Sequence, residues 1–315
     1  MNTSKRKTDA GSQVKTEGAQ GLSNPQVGDI HEQVTNQILA AMEQAQGTGR
    51  RLWDSQPSLP VNLATGKPYS GINVIILWGA AMEKGYTSPY WLTFKQAQAL
   101  GGQVRKGERS ELCIYYRPWE SQETNSETGE TETKTGAVLK SFRVFNLDQI
   151  DGITTPAATP REAFQAIEEA DRILRASPAR IIETGDRAFY QPATDTIHLP
   201  ARADFINAEA FYSTALHEMT HSTGHKSRLD RDFSGRFGTE AYGFEELIAE
   251  LGSAFLNADI GIIGTTMQDH AHYLASWIKI LKGDKKAIFT AAAQASKAHA
   301  FITALVGHDE AQAAA

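Results

Sequence analysis

The first half of the chain alternates between helical and extended hydrophobic patterns. Residues 31–47 are apolar at every third or fourth position, which is the spacing of one helical face. Residues 71–85 are rich in apolar side chains and end at Gly85, which predicts a buried helix closed by glycine. Thr93 is a typical N-cap for a short helix, and the stretches LCIYY and SFRVFNL have the composition of strands. This order of elements predicts a small α+β unit.

Three stretches lack this periodicity. Residues 50–71 are rich in Pro, Gly, Ser and Asn, which predicts an extended surface loop with several turns. Residues 121–136 contain no apolar side chain, which predicts the exposed tip of a hairpin between the two strands. Residues 151–160 have the composition of a linker, so we place a domain boundary near residue 155.

The second half is predicted to be mainly helical. An amphipathic helix follows the linker, and the stretches ARIIETG and AFYQPATDTIHLP predict short strands joined through a turn. The stretches after these strands have helical periodicity and glycine stops. The expected fold class is therefore α+β, with a small α+β N-terminal domain followed by a mainly helical domain that contains a short β-hairpin or sheet.

Length and composition agree with two domains. The 315 residues suit two compact units, and the hydrophobic share of 41% and charged share of 22% are ordinary for a globular protein. The predicted division is a disordered tail at 1–27, a first domain at 28–150, a linker at 151–160, a second domain at 161–305 and a disordered tail at 306–315.

Composition also bears on the compartment and the partners. The chain has no run of about 18 apolar residues, and its basic N-terminus lacks the apolar core of a signal peptide. Cys113 is the single cysteine, which fits a reducing compartment. These features predict a cytoplasmic protein without a membrane partner. The net charge of −6 means that nucleic-acid binding would depend on a local basic surface.

The run AFYSTALHEMTHSTGH carries a metal-binding pattern. His217 and His221 are four residues apart, so a helix places both imidazoles on one side with Glu218 beside them. Catalytic zinc sites use three protein ligands and keep a position for water, which a neighbouring carboxylate can deprotonate. The pattern predicts two ligands and a catalytic base, Glu218. The structural alternative is a pair of buried histidines satisfied by carboxylates.

A third ligand is expected from the next helical stretch, FEELIAELG. Glu246 and Glu250 are four residues apart and face one way, so one is expected to bind the metal and the other to support it. The arrangement resembles the gluzincin pattern, in which a glutamate on a second helix completes the site and an acid four residues later orients a histidine. By that resemblance Glu246 is the ligand and Glu250 the supporting acid. Zn²⁺ is the expected ion, with Mn²⁺ as an alternative divalent metal.

Other residues near this pattern have weaker claims. A metzincin would need a histidine where Ser227 stands. His225 is more typical of a helix cap or surface group than of a ligand, and Tyr242 is a candidate oxyanion donor by position only. The strand from Asp195 to His198 is a candidate edge for pairing with an extended peptide. Three further histidines are expected to be structural: His270, His272 and His299.

The first half concentrates cationic and aromatic residues in the same stretches. Cations neutralise phosphates and aromatic faces stack bases, which is the chemistry of sequence-tolerant single-strand binding. Residues of these types also commonly fill cores or decorate solvated surfaces. The candidate DNA contacts are Arg51, Trp53, Lys67, Tyr69, Trp91, Lys95, Arg105 and Lys106.

Longer stretches resemble a known family. ArdC-type antirestriction proteins have an N-terminal domain similar to PVNLATGKPYSGINVIILW, SPYWLTFKQAQALGGQVRKGE and FRVFNLDQIDG, and the plasmid TraC primases are similar over this region. The family's C-terminal half is similar to HEMTHSTGHKSRLDR and FEELIAELG. The resemblance implies a single-stranded-DNA-binding domain followed by a zincin-like metallopeptidase domain. It also implies protection of incoming DNA from host restriction during conjugation, in the recipient bacterial cell.

Two functions are consistent with these expectations. In the first, the chain is a bifunctional antirestriction protein that binds single-stranded DNA and cleaves an unidentified host protein, such as a restriction-enzyme subunit. In the second, it is a non-catalytic single-stranded-DNA-binding protein whose metal only holds the helices together. Glu218 favours the first function, because a structural site closed by four ligands has no need of a base.

Overall fold

The computed structural model of the chain describes residues 27–45, 58–124, 131–154, 163–233, 239–262 and 271–313. The helices within these ranges are α1 (Val27–Ala45), α2 (Ile72–Lys84), α3 (Phe94–Ala99), α4 (Ala163–Arg175), α5 (Ala208–Ser222), α6 (Glu240–Ile260), α7 (Ala271–Gly283) and α8 (Ala287–Ala313). The strands are β1 (Val61–Asn62), β2 (Lys67–Pro68), β3 (Tyr90–Leu92), β4 (Gln103–Val104), β5 (Glu111–Thr124), β6 (Thr131–Asn146), β7 (Ile150–Asp151), β8 (Arg180–Glu183), β9 (Phe189–Gln191) and β10 (Thr196–Leu199). The predicted α+β class is confirmed.

Local signals account for the helices of the first half. Helix α2 ends at Gly85, whose φ of 70° lies in the left-handed region that glycine adopts without steric cost. Helix α3 begins at a capping box, in which the Thr93 hydroxyl accepts from the Gln96 backbone N–H and the Gln96 side chain accepts from the Thr93 backbone N–H. Both elements agree with the sequence prediction.

The first half contains a five-stranded sheet in the order β2-β1-β3-β6-β5. Strands β1 and β3 are parallel, and the other neighbours are antiparallel. The hairpin tip predicted at 121–136 is wrong over most of its length, because β5 continues to Thr124 and β6 begins at Thr131. The β5–β6 ladder is held by backbone hydrogen bonds, which form without apolar periodicity, and threonine favours the extended conformation.

The second half contains a three-stranded sheet in the order β8-β10-β9. Strand β10 is parallel to β8 and antiparallel to β9. Helices α5, α6, α7 and α8 follow this sheet along the chain, as the mainly helical prediction requires. None of the helices in the described part of the chain combines the length and apolar character needed to cross a lipid bilayer.

The largest buried cluster draws side chains from both halves. Ile38 of α1 and Trp78 of α2 belong to the same cluster as Leu251 and Phe255 of α6, and the Trp78 and Phe255 rings are 5.7 Å apart. Helices α7 and α8 complete this core through residues such as Trp277. Helix α6 is therefore packed against helices from both halves of the chain. The domain boundaries remain a prediction.

The C-terminal tail predicted from residue 306 is wrong up to Ala313, because α8 continues to that residue. Alanine has the highest helix propensity, so the alanine-rich end of the chain can extend the helix without a periodic pattern of apolar residues in the sequence. The N-terminal tail predicted at 1–27 overlaps the described chain only at Val27, where α1 begins. Most of the linker predicted at 151–160 lies outside the described residues, which pause after residue 154.

Helices α5 and α6 approach closely at Gly252, where an added Cβ would lie 2.4 Å from Thr220 Cγ2. We expect overpacking in Gly252→Ala to lower the free energy of unfolding by about 1–3 kcal/mol. The higher helix propensity of alanine should offset up to about 1 kcal/mol of this loss. Chemical denaturation measures the change. Thr220→Ser removes the methyl group but keeps a hydroxyl for Leu216 O, so the double variant should recover stability. A single variant as stable as wild type would contradict the close approach.

Candidate metal centre

Helix α5 holds three of the predicted site residues in a buried position. Its N-cap is Asn207, whose side-chain oxygen accepts a hydrogen bond from the Ala210 N–H at 2.8 Å. His217, Glu218 and His221 are all buried, and the two imidazole rings lie 4.9 Å apart between centroids at 78° to each other. The four-residue spacing has therefore placed both rings on one side of α5, as predicted.

Glu246 of α6 faces both histidines. One carboxylate oxygen lies 3.5 Å from His217 Nε2, and the other lies 3.5 Å from His221 Nε2. Among the described residues, His217, His221 and Glu246 form the group whose ligand atoms all lie within 4.8 Å of one another. The structure thus brings together the three residues predicted to hold the ion.

This donor set fits a catalytic divalent metal. Zinc–ligand bonds of about 2.0–2.1 Å in tetrahedral geometry separate two ligand atoms by about 3.3 Å, and the two His–Glu246 separations are 3.5 Å. Two imidazole nitrogens and one carboxylate oxygen also match the composition of catalytic zinc sites with three protein ligands. His217, His221 and Glu246 are therefore the residues that would hold the ion.

Two more carboxylates contact the outer nitrogens of the histidines. Glu250 Oε2 lies 3.7 Å from His217 Nδ1, the position that the gluzincin resemblance implied for it. Glu245 Oε1 lies 3.1 Å from His221 Nδ1. Glu245 is within hydrogen-bond distance and can fix the orientation of the His221 imidazole, whereas the separation of Glu250 from His217 is longer than a hydrogen bond. The sequence analysis missed Glu245, although its position beside Glu246 at the start of a buried helix was a usable signal.

Arg231 joins Glu245 to the end of α5. Its Nε donates to Glu245 Oε2 at 3.0 Å and its Nη2 donates to Glu245 Oε1 at 2.8 Å, which makes a bidentate pair. Nη1 donates to Thr223 Oγ1 at 2.7 Å, and Nη2 also donates to the Thr220 carbonyl at 2.9 Å. Its side chain is only 5% exposed. Arg231 ends the family-like stretch HEMTHSTGHKSRLDR, but the stretch alone does not indicate its role, because its carboxylate partner lies on α6.

The carboxylates shift the pKa values of the histidines. Burial, the largest single effect, lowers the pKa of His217, but the hydrogen bond with Glu246 and the charges of Glu218 and Glu246 together raise the net pKa. The same opposition acts on His221, where Glu245 and Glu246 together raise the pKa to about 10. Burial raises the pKa values of Glu245 and Glu246, but their hydrogen bonds to the histidines, and to Arg231 for Glu245, hold both below the usual range.

Glu218 lies beside this group and has a different environment. Burial raises its pKa above the usual carboxyl value, which the charges of His217 and His221 oppose. A backbone hydrogen bond from Tyr190 of β9 also reaches its carboxylate. Glu218 is thus buried next to the predicted ligands without belonging to the ligand group found among the described residues.

Strand β9 reaches Glu218 through the backbone of Tyr190. The prediction that the strand from Asp195 to His198 is an edge is wrong, because β10 pairs with β8 on one side and β9 on the other. The parallel β8–β10 pair joins segments separated along the chain, which local patterns cannot reveal. Strands β8 and β9 are the two edges of this sheet, and Tyr190 at the centre of β9 contacts Glu218.

The remaining candidates near the site have ordinary surroundings. His225 lies in the turn after α5, with Nδ1 2.8 Å from Ser227 Oγ. Tyr242 precedes Glu246 by one helical turn on α6 and is half-buried, and its role stays a prediction. His299 Nε2 lies 3.0 Å from Asp259 Oδ2, which agrees with a structural role. His270 and the side chain of His272 lie outside the described residues.

The predicted DNA contacts do not form one exposed set. Trp91 is 1% exposed and packs against Tyr86, so its prediction as a contact is wrong: β3 is an interior strand whose faces are covered. Tyr69 is half-buried, and burial raises its pKa to about 12. Arg105 is exposed but pairs with acidic side chains. The lysines Lys67, Lys95 and Lys106 are exposed, and Arg51 and Trp53 lie outside the described residues.

The β5–β6 ribbon presents a surface that the sequence analysis missed. Tyr115 pairs with Lys140 and Arg117 pairs with Val138, so these side chains share one face with Phe142. Tyr115 is 48% exposed, and its ring lies 6.0 Å from the Phe142 ring. Arg117 and Lys140 are exposed. We call these five residues the ribbon face. The signal that could have found it is the two-residue spacing of Tyr115 and Arg117 on a predicted strand.

Two family models match this chain, one in each half. A model of the N-terminal domain of the anti-restriction factor ArdC matches residues 28–145, and a model of a zincin-like metallopeptidase matches residues 168–294. The metal-free crystal structure of the antirestriction protein ArdC from plasmid R388 is 39% identical in sequence, with a TM-score of 0.73 over 89% of this chain and 98% of that chain. The chain belongs to the ArdC family. The resemblance to ArdC-type antirestriction proteins, which the sequence motifs indicated, is thereby confirmed.

Other relatives extend this comparison. The Mn(II)-bound crystal structure of the R388 ArdC protein is 38% identical, with a TM-score of 0.72 over 88% of the ArdC-family chain described here and 98% of that chain. Protein y4eC of Sinorhizobium fredii is 40% identical over 275 residues, which are 85% of this chain and 90% of y4eC. DNA primase TraC of Escherichia coli is 41% identical over 292 residues, so the chain spans only 27% of that primase.

Proposed function

We propose that this ArdC-family chain protects DNA that enters a bacterial cell by conjugation, and that it acts in the cytoplasm of the recipient. It does so by binding single-stranded DNA and by cleaving a host protein at a metal-dependent peptidase site. The observation that carries the peptidase proposal is the buried group of His217, His221 and Glu246 with Glu218 beside it. Three ligands and a neighbouring base suit catalysis better than a closed structural site.

The residues of the site have distinct roles in peptide hydrolysis. A divalent ion held by the three ligands would supply Lewis-acid activation of the peptide carbonyl and of water. Glu218 accepts a proton from the attacking water and later donates it to the leaving amine. Its raised pKa brings the carboxyl group closer to neutral pH, which suits a group that must both accept and donate a proton.

The substrate is proposed to be a protein segment in extended conformation. Strand β9 is an edge of its sheet and lies next to Glu218 through Tyr190. An exposed strand edge can pair with an extended peptide through main-chain hydrogen bonds. A substrate added along β9 would bring a peptide bond to Glu218, and a subunit of a restriction enzyme is the proposed target.

The ion is proposed to be Zn²⁺, with Mn²⁺ as the alternative. Paired histidines with one carboxylate are typical of zinc, and imidazole and carboxylate ligands also accept manganese. The crystal structure of the R388 relative is described as Mn(II)-bound. Metal analysis of the protein as isolated, followed by reconstitution with each ion, separates the two choices.

The DNA-binding part of the proposal is supported by the ribbon face. Tyr115 and Phe142 offer aromatic surface, while Arg117 and Lys140 offer cations on the same side of the ribbon. Stacking on aromatic rings combined with phosphate neutralisation gives binding to single strands without sequence preference. The chain's net charge of −6 makes such a local cationic surface necessary.

We expect Tyr115→Ser to weaken binding of an oligo-dT strand by about 5-fold to 150-fold, because one stacked base contributes about 1–3 kcal/mol. Lys140→Gln should reduce the salt dependence of the binding constant by about 0.7 in log–log slope. Fluorescence anisotropy across a salt series measures both quantities. Lys95→Gln on α3 is the matched control, and a larger effect there than on the ribbon face would favour the surface predicted from sequence.

The proposal as a whole is tested by conjugative transfer into restricting and non-restricting recipient cells. Wild type should protect the incoming DNA, and Glu218→Gln should lose protection while it retains metal and single-strand binding. Full protection by Glu218→Gln, with loss in the Tyr115→Ser and Lys140→Gln double variant, would instead favour the non-catalytic DNA-binding function. Equal transfer with and without the protein would remove the antirestriction proposal.

A further inference from the structure

Arg231 has no step in the peptide hydrolysis proposed above, so that reaction does not explain why its side chain is buried beside the metal centre. Its guanidinium is buried, although it lies on a loop and its main carboxylate partner, Glu245, lies on α6. Burying a charge is unfavourable unless the charge is paired and hydrogen-bonded. Arg231 meets that requirement through Glu245, Thr223 Oγ1 and the Thr220 carbonyl. These hydrogen bonds use four of the five guanidinium N–H groups, which indicates that the position of this side chain is specified.

The loop after α5 is shaped to return Arg231 to the helix end. The Arg231 backbone N–H donates to the Gly224 carbonyl at 2.9 Å, and Asp230 just before it has a positive φ of 49°. An added Cβ at Gly224 would lie 3.0 Å from Arg231 Cζ and 2.5 Å from Phe233 Cζ. Glycine at this position therefore leaves room for the guanidinium to lie against the end of α5.

We infer that Arg231 is a positioning residue that acts on the metal centre through Glu245. Arg231 fixes both Glu245 oxygens, and Glu245 Oε1 contacts His221 Nδ1 at 3.1 Å. With Nδ1 held as a hydrogen-bond donor to Glu245, His221 Nε2 is kept free to face Glu246 and the ion. The chain Arg231–Glu245–His221 thus sets the orientation of one ligand, and this inference rests on the metal centre of the proposed function.

Arginine suits this role better than lysine. The planar guanidinium matches the two Glu245 oxygens at 3.0 and 2.8 Å and still has a donor for Thr223 at 2.7 Å. A lysine ammonium at the same place would keep the charge but lose the bidentate geometry. We therefore expect Arg231→Lys to bind the ion more weakly than wild type but more tightly than Arg231→Gln.

The same loop contains a matched control. Arg228 is also 5% exposed, pairs with the Asp195 carboxylate, and donates from Nε to the Ser222 carbonyl at the end of α5 at 2.7 Å. It shares with Arg231 a buried guanidinium, an acidic partner and contact with the end of α5. The hydrogen bonds of Arg228 reach Ser222, Asp195 and the Tyr190 hydroxyl rather than Glu245, so this residue separates loss of a buried arginine from loss of the connection to His221.

The experiment measures binding of Co²⁺ and Mn²⁺ to the full chain, together with chemical denaturation without metal. Arg231→Gln and Glu245→Gln should each weaken ion binding by about 10-fold to 100-fold, the effect typical of partners that orient a ligand. The Co²⁺ absorption bands of both variants should shift, because the His221 ring is no longer held. Arg228→Gln should lose stability to a similar degree but keep the wild-type ion affinity and spectrum.

A double-variant comparison tests whether Arg231 acts through Glu245. If it does, Arg231→Gln with Glu245→Gln should bind the ion about as weakly as either single variant, because both remove one connection. Additive losses, or equal losses in Arg228→Gln and Arg231→Gln, would overturn the inference. Arg231→Lys supplies a folded test should the glutamine variant not fold. A wild-type chain that binds no divalent ion would instead overturn the metal centre itself.

Discussion

Glu218→Gln should slow peptide hydrolysis by about 10²-fold to 10⁴-fold, the usual contribution of a general base, while ion binding stays near the wild-type level. Glutamine has the size of glutamate and keeps an oxygen for the Tyr190 backbone N–H, but it cannot accept the proton of water. Glu218 does not belong to the group formed by His217, His221 and Glu246 among the described residues. The variant therefore separates the base from the ligands.

The measurement uses metal-loaded protein and a mixture of fluorescence-quenched peptides, with cleavage sites read by mass spectrometry. Glu209→Gln is the matched control, because Glu209 lies in the first turn of the same helix, away from the histidines. The control should cleave at the wild-type rate and at the same bonds. Undiminished cleavage by Glu218→Gln would show that another group supplies the base, or that the site does not carry the activity.

The residues of the candidate site could be predicted because their geometry is local to a helix. His217 and His221 are one turn apart on α5, and any continuous helix through them gives the observed facing rings. The same applies to Glu246 and Glu250 on α6. What the spacing does not contain is the approach of α5 to α6, which depends on Gly252 fitting against Thr220.

The contacts that the sequence did not indicate all join distant segments. Glu245 was not singled out because its role follows from the rotation of α6 relative to α5, and Arg231 reaches it from a loop. Strand β10 looked like an edge because its parallel partner, β8, is not adjacent in the chain. Trp91 looked like a stacking residue until the sheet order placed β3 in the interior.

Glu246→Gln should lower the affinity for divalent ions by more than the roughly 10-fold to 100-fold expected when only an orienting partner is lost. One carboxylate oxygen of Glu246 lies 3.5 Å from His217 Nε2, and the other lies 3.5 Å from His221 Nε2. The amide oxygen of glutamine is a much weaker metal ligand than a carboxylate oxygen. Titration calorimetry with Zn²⁺ and Mn²⁺ measures the loss. Wild type at an ion concentration of 100 Kd should gain about 2.7 kcal/mol of stability, and this gain should disappear in the variant.

Glu250→Gln is the comparison that decides the roles of the two acids. Glu250 lies 3.7 Å from His217 Nδ1, on the side of the ring away from the Nε2 atom that faces Glu246. Its loss should leave the ligands in place but free the His217 ring to rotate, so the affinity should fall by the smaller amount of about 10-fold to 100-fold. The reverse order of effects would make Glu250 the ligand and Glu246 the support. Equal and small effects would mean that the carboxylates only neutralise two buried histidines, in which case neither variant should change the thermal response to added ions.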